Sequence, residues 1–163
     1  MRRPSPQDHQ PLVIGVGNPD RGDDGLGALI ASKLAQLSNA RVIVRRADLL
    51  VLIDDWVDDD SVVLIDAAAG SSRPGTIHRF DLATSSLPPN LSASSTHAFG
   101  LAEAVELARA LGRLPKRIIL YAVEGIDFEP GAPMTAQAAR AADRAARRIA
   151  ADLRSWRSPR RTH

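Results

Sequence analysis

With 163 residues, 44% of them hydrophobic, the chain can bury one substantial core and is short for two ordinary domains. It has no cysteine, which excludes disulfides, thiolate metal sites and a cysteine nucleophile, so any metal must be met by oxygen or imidazole. The net charge is +2 and aromatics are 4%, with much of the basic excess toward the ends, in Arg2, Arg3, Arg154, Arg157, Arg160 and Arg161; this reads as solvated charge and not as a nucleic-acid surface.

The basic lead 1–10 lacks the apolar region of a signal peptide and is expected to be disordered. One folded domain is expected over 11–156 and a disordered basic tail over 157–163. No stretch approaches the ~20 consecutive apolar residues of a membrane span. Pro11 to Ile14 read as a central strand covered on both faces. The glycine-rich turn from Gly15 to Gly27 follows, with Asp23 and Asp24 adjacent in it. Leu26, Leu29, Ile30, Leu34 and Leu37 then recur at helical spacing, and Ser38-Asn39 end that helix.

Arg41 to Arg46 alternate as a second strand near a sheet edge. Asp48 is placed to cap a short amphipathic helix through Trp56, closed by Asp58, Asp59 and Asp60 in a solvated loop. Ser61 to Asp66 form a third, apolar strand ending in a carboxylate, with Ala67, Ala68, Ala69 and Gly70 after it. Pro74-Gly75 is a turn, and Thr76 to Phe80 an antiparallel edge strand. A Ser- and Pro-rich loop from Leu82 to Ser95 leads to His97, at the start of a helix whose Leu101, Val105, Ala108 and Leu111 share a face. Arg117 to Val123 make a further apolar strand with Glu124-Gly125 at its carboxyl end, and Thr135 caps a last helix, rich in Ala and Arg, to about Trp156. Strand and helix in alternation specify a three-layer α/β/α domain with a mostly parallel central sheet and one antiparallel edge strand.

In such sheets the ligand crevice lies outside the carboxyl ends of the strands. Asp23 and Asp24 after the first strand, Asp66 at the end of the third, and His97 all fall there. Two carboxylates and an imidazole suit a first-row divalent metal with positions left for substrate or water. Plainer roles remain open, with Asp23 or Asp24 capping the first helix and Asp66 forming a turn, and Glu124 is either a fourth polar group at the site or a solvated strand end. His9, His78 and His163 read as isolated histidines without partners. Ser94, Ser95 and Thr96 stand beside His97, but no glycine-flanked nucleophile elbow accompanies them. Gly15-Val16-Gly17 opens like a dinucleotide fingerprint, yet its third glycine would fall at Asp20 and the carboxylates would face a pyrophosphate.

Four segments in order carry a resemblance. They are Gly15-Val16-Gly17-Asn18 with Asp23-Asp24-Gly25-Leu26-Gly27, then Ile65-Asp66-Ala67, then Ser95-Thr96-His97 with Gly100-Leu101, and Tyr121-Ala122-Val123-Glu124-Gly125. Across nearly its whole length the chain resembles the hydrogenase maturation proteases. The resemblance implies a cytoplasmic endopeptidase that removes the carboxyl-terminal extension of the nickel-iron hydrogenase large-subunit precursor after nickel insertion. It implies Asp24, Asp66 and His97 as a triad contacting nickel carried by the substrate, another divalent metal being able to substitute. Asn18 and Asp23 would support the triad, as outer groups usually do at metal sites. The implied partner is the precursor, with no nucleic acid and no membrane, and the enzyme is expected to be a monomer. Two departures stand out: many members carry Glu at the position of Asp24, and Arg45 to Leu50 replace a glycine- and threonine-rich loop. The other readings are a nickel-sensing protein without catalysis and a phosphate- or nucleotide-binding module.

Overall fold

The computed structural model describes residues 10–46, 50–69, 73–87 and 98–157, with backbone alone at 98 and 99. Its centre is a five-stranded sheet in the order β2-β1-β3-β5-β4, formed by β1 (Leu12–Val16), β2 (Arg41–Arg45), β3 (Ser61–Ala69), β4 (Ile77–Asp81) and β5 (Arg117–Gly125). All neighbours are parallel except β4 and β5. A single 3-10 turn, Gly22–Gly25, runs into α1 (Leu26–Leu37), followed by α2 (Val51–Asp55), α3 (Ala98–Ala110) and α4 (Ala136–Arg157). The expected α/β architecture with one antiparallel edge strand is the one observed.

Residue parity along the strands divides the core. Val13, Val63, Ile65, Ile119, Tyr121 and Val123 face α1 and α4, where Ala138, Ala141, Ala142, Ala145 and Ala146 form the helix surface. Short alanine side chains keep α4 near the sheet and against α1. Leu12, Ile14, Val62, Leu64, Ile118 and Leu120 face α2 and α3 through Leu52, Trp56, Leu101, Val105 and Ala108. The buried Trp56 donates its indole N–H to the carbonyl of Arg113 at 3.1 Å, joining α2 to the turn after α3.

Several boundaries differ from expectation. β3 does not stop at Asp66: Ala67, Ala68 and Ala69 pair with Val123, Glu124 and Gly125, so the small residues are strand and β5 is longer in step. Methyl groups let two parallel strands continue past the end of the β1 ladder. Leu111 lies beyond α3 and is 54% exposed, because the helix ends one residue earlier and Gly112 turns the chain at φ 67°. Leu37, the last residue of α1, is likewise exposed. The second helix begins at Val51 without a side-chain cap, and Asp48 lies outside the described residues.

The site is positioned by topology. From β1 the chain crosses to β2 on one side, and β3 lies on the other, so strand order reverses between β1 and β3. That is where an open α/β sheet splits at its carboxyl edge. α1 starts directly over the split: a Cβ built on Gly27 would lie 2.3 Å from the Val16 carbonyl oxygen and 2.5 Å from that of Ile65. Only a glycine lets the helix come so close to both strands.

Candidate functional site

The two adjacent carboxylates of the turn are both fully buried and have different surroundings. Asp23 Oδ2 accepts the amides of Ile126 at 2.7 Å and Asp127 at 3.2 Å, while Oδ1 accepts the amide of Thr135 at 2.8 Å and its hydroxyl at 3.0 Å. Asp23 thereby ties the turn to the β5–α4 connection and caps neither neighbouring helix, correcting the reading of it as a cap for α1. Thr135 then accepts the Ala138 amide on its hydroxyl at 3.2 Å, capping α4 as its sequence predicts. Close packing leaves no room for side chains here. A Cβ on Gly125 would stand 2.6 Å from the Asp23 Cβ, and one on Gly22, at φ 57°, would be 2.2 Å from the Asp127 carbonyl oxygen.

Asp24 is turned the other way, with Oδ2 accepting the Asn18 amide at 2.9 Å. Gly17, at φ 136°, reverses the chain off β1 to make this possible, and a Cβ there would strike the Asp24 carbonyl oxygen at 2.1 Å. Asn18 in turn accepts from the Asp20 amide at 2.9 Å and from Arg46 at 3.0 Å, and Arg46 also pairs with Asp20 at 2.6 Å. Asn18 therefore supports Asp24 through its backbone and the turn through its side chain.

The turn is not a phosphate cradle. Its amides at Gly17, Asn18, Asp20, Arg21, Gly22, Asp23 and Asp24 all donate within the protein, to Arg45, Asp24, Asn18, Asn18, Ala132, Asp127 and Arg21 respectively. Anion sites at helix starts need such donors directed outward, and here the side chains presented are carboxylates.

Asp66, 2% exposed, is the residue that follows Ile65, and Ile65 pairs with Gly15 at the end of the β1–β3 ladder. It thus sits on β3 just where β1 leaves the sheet, beside the turn that carries Asp24. Its parity matches Val62 and Leu64, so it lies on the α2/α3 face. Thirteen residues of α3 span about 20 Å and end near β4, where Arg109 donates to the Leu82 carbonyl at 2.8 Å. Its beginning at Ala98 is therefore directed toward the carboxyl edge on that same face. His97, immediately before Ala98, lies outside the described residues, as do Ser94, Ser95 and Thr96. Among the predicted site residues the structure thus brings Asp24 and Asp66 to the same end of adjacent strands.

Two further residues join this face, His78 against its reading as an isolated histidine and Glu124 in accord with one of its two readings. His78 is not partnerless: its Nε2 lies 3.0 Å from Glu124 Oε1. Glu124 is not a solvated strand end but 8% exposed, and its backbone continues the β4–β5 pairing through Thr76. His78 and Asp66 both stand opposite Ala122, from its two sides. Alternation in the two strands was visible in sequence; the antiparallel register that joins residues 46 positions apart was not.

A family model for hydrogenase maturation proteases of the HycI type matches residues 45–152, a range that includes Asp66 and begins downstream of the Asp23-Asp24 turn. The hydrogenase expression/formation protein HupD of Bradyrhizobium diazoefficiens is 28% identical over 139 residues, covering 80% of this chain and 71% of that protein. Among solved structures, the hydrogenase maturating endopeptidase HybD from E. coli superposes with a TM-score of 0.71 at 25% identity, over 90% of this chain and 93% of that one. The [NiFe] hydrogenase maturation protease HybD from Thermococcus kodakarensis shares the fold, with a TM-score of 0.71 at 22% identity over 88% of this chain and 98% of that one. The mostly parallel five-stranded sheet with helices on both faces is the α/β fold of these maturation proteases. The chain belongs to the hydrogenase maturation protease family. No helix among the described residues is long and apolar enough to cross a membrane.

Proposed function

We propose that this protein is the endopeptidase that removes the carboxyl-terminal extension of a nickel-iron hydrogenase large-subunit precursor, in the cytoplasm and after nickel has been inserted. Asp24, Asp66 and His97 are the residues assigned to contact the nickel that the precursor carries, a resident metal being unnecessary for that role. The observation that carries this reading is the placement of two buried carboxylates, Asp24 and Asp66, at the ends of the adjacent strands where the sheet order reverses. A metal held on the substrate brings a cation to these carboxylates when the correct precursor arrives, and contact with it fixes the neighbouring peptide bond in place. Family membership supplies the reaction class, and the donor chemistry of oxygen and imidazole suits nickel among the first-row divalent ions.

The test is incubation with precursor in nickel-loaded and nickel-free forms, following loss of the extension by mass. Cleavage of the loaded form alone is the expected result. Asp24→Asn and Asp66→Asn should each lower processing by at least about 100-fold with the fold retained, and His97→Ala should do the same. Equal cleavage of both precursor forms sinks the metal-recognition role, and normal processing by any one variant removes that residue from the triad. A loaded precursor that is bound and left uncut would make the protein a nickel sensor instead.

A further inference from the structure

The face that holds Asp66 also holds an imidazole–carboxylate pair that the triad does not use. Asp66, Ala122 and His78 lie in one row across β3, β5 and β4, since Asp66 pairs with Ala122 and Ala122 with His78. Adjacent strands are about 4.8 Å apart, so the Cα atoms of Asp66 and His78 are separated by about 10 Å. The only side chain between them in that row is the methyl group of Ala122. Glu124 is one step further along the same face of β5, and places Oε1 3.0 Å from His78 Nε2.

The pair has the asymmetry of a proton-transfer unit. The Glu124 side chain is 10% exposed and that of His78 36%, so the carboxylate is held inside and the imidazole reaches the surface. His78 is steadied on its other side by Phe80, whose ring lies at 16° to it with centroids 6.3 Å apart. A buried carboxylate on Nε2 fixes that nitrogen as the N–H, leaving the Nδ1 lone pair to accept a proton. The carboxylate also stabilises the imidazolium that results, as the acid does in a hydrolase triad. Among the described residues Glu124 pairs with His78, and the charged groups on this face of β3 and β5 at the carboxyl end are Asp66 and Glu124 themselves.

We propose that His78, oriented by Glu124, is the general base of the hydrolysis, acting on the water that attacks the scissile carbonyl. This rests on the processing reading above, which gives Asp66 to the metal; Asp66 lies in the same row as His78, two strands away on the same face of the sheet. The water oxygen bonds to the carbonyl carbon as His78 takes one of its protons. The carbon–nitrogen bond then breaks while His78 returns that proton to the leaving nitrogen, giving a carboxylic acid, an amine and neutral His78. Glu124 touches neither water nor peptide and is a positioning residue.

The experiment is steady-state processing of nickel-loaded precursor by the full chain and by His78→Gln, Glu124→Gln and the double variant. Glutamine at 78 keeps a hydrogen bond to Glu124 and occupies a half-exposed position, so its thermal unfolding should match that of the parent. Removing a general base lowers the chemical step by about 100-fold or more, so kcat should fall by that factor in His78→Gln while KM stays unchanged. Glu124→Gln should lower kcat by a smaller factor than His78→Gln, and the double variant should be no slower than His78→Gln alone, because the two act as a unit. A kcat for His78→Gln within about two-fold of the parent overturns the proposal while leaving the processing function standing. A rise in KM with kcat unchanged also overturns it, making His78 a binding residue. A parent chain that leaves the loaded precursor uncut overturns the processing reading itself, and the base with it.

Discussion

The two faces of the sheet are built from the same strands and treat polar groups in opposite ways. On the α1/α4 face Tyr121 is fully buried, and its hydroxyl donates to Asp152 of α4 while Arg79 of β4 approaches it at 3.4 Å. Arg79 also lies 3.6 Å from Asp152, so these three side chains answer one another. On the α2/α3 face the apolar rows of β3 and β5 give way, near the carboxyl edge, to Asp66 and Glu124, with His78 beside them. One step along β3, from Ile65 to Asp66, passes from packed core to site, because successive strand residues point to opposite faces. The same division occurs at a finer scale in the turn. Asp23 is consumed by backbone amides of the β5–α4 connection, and its neighbour Asp24 accepts the Asn18 amide on the other side of the turn.

Both faces depend on α1 closing against β1 and β3, and the strongest way to break the comparison is to keep that helix off the sheet. Gly27→Ala places a methyl group within 2.5 Å of two backbone carbonyl oxygens that belong to the central strands and have no freedom to move aside. The expected loss is about 4 kcal/mol or more, beyond ordinary overpacking. It should be read from the denaturant midpoint or from failure to recover folded protein. An unchanged midpoint would mean that α1 does not seat on the strand ends as described.

The adjacent carboxylates give a sharper contrast. In Asp23→Asn the new amide group cannot accept, yet both oxygens of Asp23 receive N–H or O–H donors. At least one buried backbone donor is then left without its acceptor, at an expected cost of about 3 kcal/mol. In Asp24→Asn the side-chain carbonyl can still accept from the Asn18 amide, so the loss of stability should be smaller than that of Asp23→Asn. Parallel urea titrations of the two variants check this. Equal losses would erase the distinction between a structural and a functional aspartate. Processing and stability should therefore separate: position 24 governs the first and position 23 the second.

The sequence made the frame legible where one signal dominated. Uninterrupted apolar runs marked β1, β3 and β5, and Gly17, Gly22 and Gly27 marked a turn that had to be tight, although only the structure assigns each glycine its neighbour. That Asp24 and Asp66 fall at one edge followed from strand order alone, because carboxyl ends of parallel strands coincide. What stayed hidden depends on contacts between distant segments. The partners of Asp23 are 103 and 112 residues away, so its side chain reads locally as a helix cap. The extension of β3 through Ala69 was hidden for a different reason, since alanine has low β-propensity and only the pairing with β5 makes it strand. The link between His78 and Glu124 required the register of β4 on β5, which no local pattern encodes. The resemblance to the maturation proteases supplied the triad; it did not point to this pair.

The last contrast is electrostatic and belongs to the face without the site. Burial, then the hydrogen bond to Asp152, pushes the Tyr121 phenol up to about 12 from its usual 10.0. Arg79 beside it opposes that rise without cancelling it. A group whose pKa is higher folded than unfolded contributes stability below its unfolded value and loses it as pH climbs to the folded value. The unfolded chain releases the phenolic proton near pH 10, while the folded chain retains it until about pH 12. Stability should therefore be level below pH 10 and fall across that window by an amount on the order of 2 kcal/mol. Tyr121→Phe has no proton to release, so its unfolding free energy should lack this fall while starting about 1 kcal/mol lower at neutral pH for the lost hydrogen bond. Chemical unfolding of both proteins from pH 8 to pH 12 makes the comparison. Parallel curves for the two would show that the phenol is no better shielded in the fold than in water, and that the α1/α4 face is not the closed one.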